Sequence, residues 1–478
     1  ARFDLTARLK SNGSVNDFQF KLVDASGDNV WWVNRPNSTG TAALPAALAD
    51  VKIRRRHIDF AWGPAADKSL RQTQFVEFVV SAGREGGQGA LCVARLTLAE
   101  RAPDPQPWPQ PRAQMRGGQW QVDLGALREF NGVALQWPAA RAPLNYTLQA
   151  SDNGRQWRTL RQVQGSSGGL DALFLPESEA RHLRITLPRG VAAPALTLRS
   201  ATDWPNFNAV LSALAAHAPR GDVPRAFVGE QNYWALVGVD GGGERSALIS
   251  EDGAIEVGRG GFSVEPSLQL PSGQRITWAH VALSQTLPEG HLPLPTVHWL
   301  HPAVALDVQA AADGPRDAPT LLARYTLRNP TAQTQTYRLT LAVRPWQVNP
   351  PQQFLATQGG ASALASLQRD TSSLTVNGRT ALQWTSAPQA VTALPQDGGV
   401  QLAALQAAPP LPLGVRVDDP QQHASAALRF DVTLAPGATH ALGWTAPLGA
   451  GPARPAPPAS DTAALNTRFE AAAAHWRQ

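Results

Sequence analysis

A chain of 478 residues has room for roughly three domains of ordinary size, and a hydrophobic content of 43% supplies several cores. The net charge of +5 is almost all arginine, and the single basic run, Arg54-Arg55-Arg56-His57, lies inside an apolar strand pattern from Val51 to Trp62. That argues against a nucleic-acid footprint, which needs clustered cations, and no apolar run approaches the roughly 18 residues of a membrane span.

Forty prolines and forty glycines, spread along the chain, predict many short strands and turns rather than long helices. The chain starts in strand rhythm at Phe3-Asp4-Leu5, which suits a mature exported protein or a trimmed chain; a secreted or periplasmic bacterial location is the expectation. Residues 1–101 alternate as half-buried strands do, from Phe3 to Leu9 and from Phe18 to Val23. A turn, Asp24 to Asn29, leads into Val30-Trp31-Trp32-Val33. Further strands are predicted at Val51 to Ile53, Ile58 to Trp62, Phe75 to Val80 and Ala90 to Leu98. Cys92, between Leu91 and Val93, reads as a small buried hydrophobe. As the one cysteine it forbids an internal disulfide and any multi-cysteine metal site.

The paired Trp31-Trp32 after an acidic turn and the closing strand Val93 to Leu98 resemble the galactose-binding-like jelly roll of carbohydrate-binding modules. Adjacent Trp31 and Trp32 point to opposite faces of a strand, so at most one is core. The other, with Trp62, is a candidate sugar-stacking platform. Asp24, Asp28 and Asn29 could hold the structural Ca²⁺ common in such modules, although oxygen-rich turns are frequent without metal. Apart from that possibility no cofactor is expected.

Residues 102–111 (APDPQPWPQP) form a stiff proline-rich linker. Residues 112–203 carry Trp120-Gln121-Val122-Asp123-Leu124-Gly125, then Tyr146 through Ser151-Asp152-Asn153-Gly154 to Trp157, then Ala180-Arg181-His182-Leu183-Arg184-Ile185. This order resembles the discoidin, or coagulation factor 5/8 type C, module, with Asp152-Asn153-Gly154 as the hairpin turn. A helical connector is expected next, at 204–223, with Phe207, Val210, Leu211 and Leu214 at helical spacing.

From 224 to 448 strand succeeds strand, which calls for a large two-sheet sandwich. The runs Leu321 to Thr331 and Tyr337 to Pro350 resemble the super-sandwich that precedes the (α/α)6 barrel of several glycosidases and disaccharide phosphorylases. Residues 449–478 read as a second linker and the start of a helical domain. Ser460-Asp461 caps the helix, and Leu465, Phe469, Ala472 and Trp476 share one face. Nothing in the chain is obviously assigned to cover that face, so the polypeptide is expected to continue. The fold class is therefore all-β: a jelly-roll galactose-binding-like module, a discoidin-like β-sandwich and a super-β-sandwich, with a short C-terminal helix.

No complete active site is legible, and no catalytic or metal-ligating residue is assigned. Gly165-Ser166-Ser167-Gly168-Gly169 matches the G-x-S-x-G pattern, but no helix comes after it to make a nucleophile elbow. His298 and His301 fall on opposite strand faces, which disfavours joint ligation. The stretch Gly229 to Pro266 crowds Glu230, Asp240, Glu244, Glu251, Asp252, Glu256 and Glu265 among glycine turns. In the resembling enzymes the sandwich lends loops to the rim of the barrel. That makes Glu230, Asn232, Tyr233, Trp234, Arg344 and Trp346 candidate sugar contacts at a lip. The resemblance implies the glycan-binding, non-catalytic part of an exported glycoside hydrolase, its partners being a polysaccharide or oligosaccharide and a C-terminal helical catalytic domain. The alternative is a cell-surface or periplasmic adhesion protein that binds polysaccharide without cleaving it.

Overall fold

The computed structural model describes residues 3–12, 17–35, 44–81, 89–100, 103–138, 143, 145–166, 168–355, 357–398, 402–449 and 461–478. Two compact units result, Ala1–Gln110 and Pro111–Gln478.

In the first unit the strands are β1 (Phe3–Ser11), β2 (Asp17–Val23), β3 (Val30–Arg35), β4 (Ala49–Arg54), β5 (Asp59–Trp62), β6 (Phe75–Ser81) and β7 (Leu91–Glu100). They form two antiparallel sheets, β4-β1-β7 and β5-β3-β2-β6. Alternation decides what is buried: Phe18, Phe20 and Leu22 of β2 stand beside Trp31 and Val33 of β3 on one sheet face and share a core with Leu5, Ile53 and Ile58. Each such side chain contributes about 1.5–3 kcal/mol on burial. Cys92 corrects the expectation of a buried thiol, since it is exposed; most of β7 is exposed with it, so an apolar sequence neighbourhood did not mean an apolar environment.

The second unit opens with β8 (Arg112–Arg116), β9 (Gln119–Gln136), β10 (Asn145–Ser151), β11 (Arg158–Gln164), β12 (Leu170–Thr186) and β13 (Ala195–Arg199). Their order is β11-β10-β12-β9-β13, with β8 beside β9. The runs at Trp120 and Val133 are halves of one long β9. Its partner β12 shifts register between Phe174 and Ser178 and again between Ala180 and His182, and such irregularities bend a paired strand. Trp120, Val122, Leu148, Leu173, Leu183 and Ile185 fill the core. Buried Asp171 accepts hydrogen bonds from Trp137 Nε1 at 2.7 Å, Tyr146 Oη at 2.6 Å and Ser166 Oγ at 2.9 Å. The loop carrying the G-x-S-x-G match joins β11 to β12, which lie on either side of β10, and Ser166 ties it to Asp171; Ser167 itself lies outside the described residues.

Helix α1 (Phe207–Ala215) starts at Asn206, whose side chain accepts from Ala209 N. It is more than a connector. Val210 packs with Ala134, Ala172 and Trp204 on the outside of the preceding module, while Leu211 and Ala215 pack with Val223, Phe227 and Trp346. Two apolar stripes therefore wedge it between module and sandwich. Stacked Phe207 and His423, with ring centroids 3.5 Å apart, and the buried Arg161–Asp397 pair at 2.5 Å close the same joint.

The sandwich consists of an eight-stranded and a nine-stranded antiparallel sheet. The first contains the opening hairpin, Trp234–Val237 with Ala247–Ser250, and in its interior Ser263–Gln269 pairs with Gln335–Arg344, which pairs in turn with Ser425–Leu434. Where no helix was expected, a short α2 (Leu402–Ala407) packs Leu402 and Leu405 on Ala342 and Ala427. Helix α3 (Thr462–Trp476) is capped by Asp461, whose side chain accepts from Ala464 N at 2.8 Å. Its apolar face corrects the expectation of an uncovered helix. Leu465, Phe469 and Ala472 are buried against Leu292, Leu294, Ala311 and Leu322, and the Arg468–Asp313 ion pair adds to the docking.

Candidate functional site

The four-stranded sheet of the first unit separates the three candidate tryptophans by strand parity. Trp31 is core, 4% exposed, and its Nε1 donates to Lys68 O at 2.8 Å; it has no face to offer a ligand, which corrects its place among the candidates. Trp32, one residue on, takes the opposite face and is half-buried. Trp62 at the end of β5 is 46% exposed. The two indoles meet edge to face at 5.4 Å, and Lys21 Nζ lies 5.0 Å from the Trp62 ring. Register places Lys21 opposite both Trp32 and Glu77, Trp32 opposite Asp59, and Gln19 opposite Asn34. Directly paired residues share a face. Two indoles therefore stand among cationic, carboxylate and amide side chains. Sugar recognition uses that combination: a ring for the C–H face and polar groups for the hydroxyls. Gln19, Lys21, Asn34, Asp59 and Glu77 are not evident as candidates from sequence, although odd-position alternation in β2 is a signal for the first two.

The predicted lip is built differently. Glu230 is clamped by Arg220, Nε to Oε1 at 2.7 Å and Nη2 to Oε2 at 2.9 Å, and that guanidinium holds its carboxyl below the usual range. Arg225 binds Asp252 in the same two-pronged way, at 2.8 and 2.5 Å. Both guanidinium groups stand 4.6 Å from the ring centroid of Trp278, a residue that sequence alone does not single out because it lies outside the acidic stretch. Asn232 Nδ2 donates to Val348 O at 2.9 Å. Arg344 is 2% exposed; it binds both oxygens of Glu265 and Asp222 O at 2.6 Å. Trp346 is fully buried, edge to face with Phe227 at 4.6 Å. Arg344 and Trp346 are thus corrected from rim to core, since the strand ending at Arg344 is interior to its sheet and α1 covers the segment after it. Asn232 and Arg344 do meet, with Asp252, Glu265, Trp278 and Gln347, around a cavity of about 30 Å³. That is room for about two waters, a tenth of the roughly 300 Å³ at which ligand sites begin. Tyr233, 58% exposed, and half-buried Trp234 remain at the surface.

Elsewhere polar groups are engaged locally. His298 contacts Asp307 Oδ1 and Thr286 Oγ1, each at 2.7 Å, while His301 Nδ1 accepts from Ala303 N. In the Asp24–Asn29 turn, Asp24 accepts from Ser26 Oγ at 2.6 Å and Asn29 Nδ2 at 2.7 Å, bonds that hold its carboxyl below the usual range. Asn29 Oδ1 accepts from Ala65 N at 2.7 Å. Oxygens facing N–H and O–H donors do not fit a Ca²⁺ shell, and the described residues contain no group of three or more His, Cys, Asp or Glu that could hold a metal ion. Among them no helix is long and apolar enough to cross a membrane.

Residues 103–200 match the F5/8 type C domain family. No curated protein matches the chain. Among solved structures it is similar to chitosan-binding module 2 of a chitosanase/glucanase from Paenibacillus sp. IK-5, seen in complex with chitotriose, at 19% identity and TM-score 0.16; 17% of this chain covers 69% of that one. Chitosan-binding module 1 of the same enzyme is similar at 28% identity and TM-score 0.14, with 17% and 64% covered. A glycoside hydrolase 29 family member from an unknown rumen bacterium is similar at 11% identity and TM-score 0.18, with 41% and 36% covered. The chain thus spans about a third of that hydrolase.

Proposed function

We propose that this chain binds polysaccharide, as the non-catalytic part of a carbohydrate-active enzyme of the cell exterior, where such polymers are met. The pair formed by half-buried Trp32 and exposed Trp62, with its polar surround, carries this reading. The F5/8 type C match at 103–200 supports it by adding a second module of a type used for ligand binding. The chain's role is to hold glycan for a helical catalytic domain of the same protein; binding invokes no cofactor.

A second reading, a surface adhesion protein that cleaves nothing, is favoured by α3, whose apolar face the sandwich itself covers. Affinity electrophoresis through gels containing soluble neutral, acidic and amino polysaccharides tests the binding that both readings share. Retardation by at least one polymer, reduced tenfold or more in affinity by Trp62→Ala, is the expected result. Migration unchanged in every gel would overturn both.

A further inference from the structure

The opening hairpin has a second end. Its turn, at Val239 and Asp240, borders an open cleft of about 890 Å³ together with the 312–317 loop and the last turns of α3. That volume lies within the roughly 300–1,000 Å³ of small-molecule sites, thirty-fold above the cavity at the lip. Asp240, Arg316, Asp317, His475 and Trp476 line it. Asp313 borders it too, but is tied to Arg468. Among the described residues no ion pair or hydrogen bond engages the side chains of Asp240, Arg316 or Asp317.

Arg316 is nevertheless placed. A Cβ on Gly241 would lie 3.7 Å from each of its Cζ, Nε and Nη1 atoms, so the guanidinium plane faces that glycine. Gly241 has φ of +65°, a conformation that favours glycine. The glycine thus leaves free the space of one side-chain carbon between the turn and the cation.

We propose that this cleft is a saccharide site for a neutral sugar unit, resting on the glycan-binding reading above. Asp240 and Asp317 accept hydroxyl hydrogen bonds, Arg316 donates, and the Trp476 indole packs on the C–H face of the ring. With Asp313 neutralised by Arg468, two carboxylates outnumber one guanidinium, so acidic sugars are disfavoured.

The test uses the full chain carrying Trp62→Ala, which silences the other surface. Neutral trisaccharides of glucose, mannose, galactose and N-acetylglucosamine, with trigalacturonate as the acidic control, are titrated by calorimetry. At least one neutral probe should bind one per chain. Arg316→Ala and Asp240→Asn should each weaken it tenfold or more without moving the melting temperature, and trigalacturonate should stay silent. Silence of every neutral probe, while polysaccharide still retards the wild-type chain, overturns the cleft and leaves the broader reading standing. So does binding that both variants leave unchanged. A wild-type chain retarded by no polysaccharide is the distinct failure of that broader reading.

Discussion

The lip and the tryptophan face are both dense in aromatic, amide and charged residues, yet they use them in opposite ways. At the lip nearly every charge has a partner inside the protein: Glu230 on Arg220, Asp252 on Arg225, Glu265 on Arg344. On the four-stranded sheet of the first unit Trp62 is 46% exposed and its neighbour Trp32 is half-buried. Composition that suggests a ligand site can therefore be structural glue, and the distinction is made by satisfied partners and by volume.

The sharpest way to break that comparison is to damage each side and weigh stability. Trp346→Ala empties a fully buried site against Phe227 and α1 and should destabilise by about 3–5 kcal/mol, read as a shift in denaturant midpoint. A change within about 0.5 kcal/mol would return Trp346 to the surface.

Glu256, on the short strand that follows the opening hairpin, gives a pH handle. It is 1% exposed, accepts from Gly260 N and Asn349 N, and burial pushes its carboxyl up to about 7 from 4.5. The folded state then holds the proton more tightly than the unfolded one. Its stabilising effect is complete below pH 4.5 and disappears as pH rises through 7. The span corresponds to about 3 kcal/mol. Glu256→Gln should remove this slope between pH 4.5 and 7 while sacrificing one amide contact, about 1 kcal/mol; an unaltered slope would show the carboxyl to be solvated.

His423, stacked on Phe207 at the α1 joint, has the opposite sign. Burial lowers it to about 4 from 6.5, so the unfolded chain binds the proton first. Stability is present above pH 6.5 and is lost as pH falls through 4. Partial exposure of the ring trims the effect to about 2 kcal/mol. His423→Phe should flatten urea midpoints across pH 4–6.5, and a slope equal to wild type would mean that the ring titrates in water.

Legibility from sequence depends on where the burying partner sits along the chain. Strand parity separated Trp31 from Trp32 because both faces of β3 are decided by its own alternation. The likeness to the F5/8 type C domain and the Asp461 cap were readable for the same local reason. Arg344 and Trp346 were not: the helix that covers Trp346 lies more than 130 residues earlier, and the Arg344 partner, Glu265, some 80 earlier. The apolar face of α3 looked bare because Leu292 and Leu294 sit on a distant loop and Ala311 and Leu322 on distant strands. Cys92 misled in the other direction, since nothing local tells a core strand from the exposed β7.

The smallest stability effect belongs to the most consequential variant. Trp62→Ala should leave the melting temperature within about 2–4 °C of wild type, because nearly half of the residue's surface is already exposed. Its affinity for the retarding polysaccharide, measured by gel electrophoresis or calorimetry, should fall at least tenfold. Undiminished affinity in a chain that melts normally would contradict the claim that this face is the glycan platform.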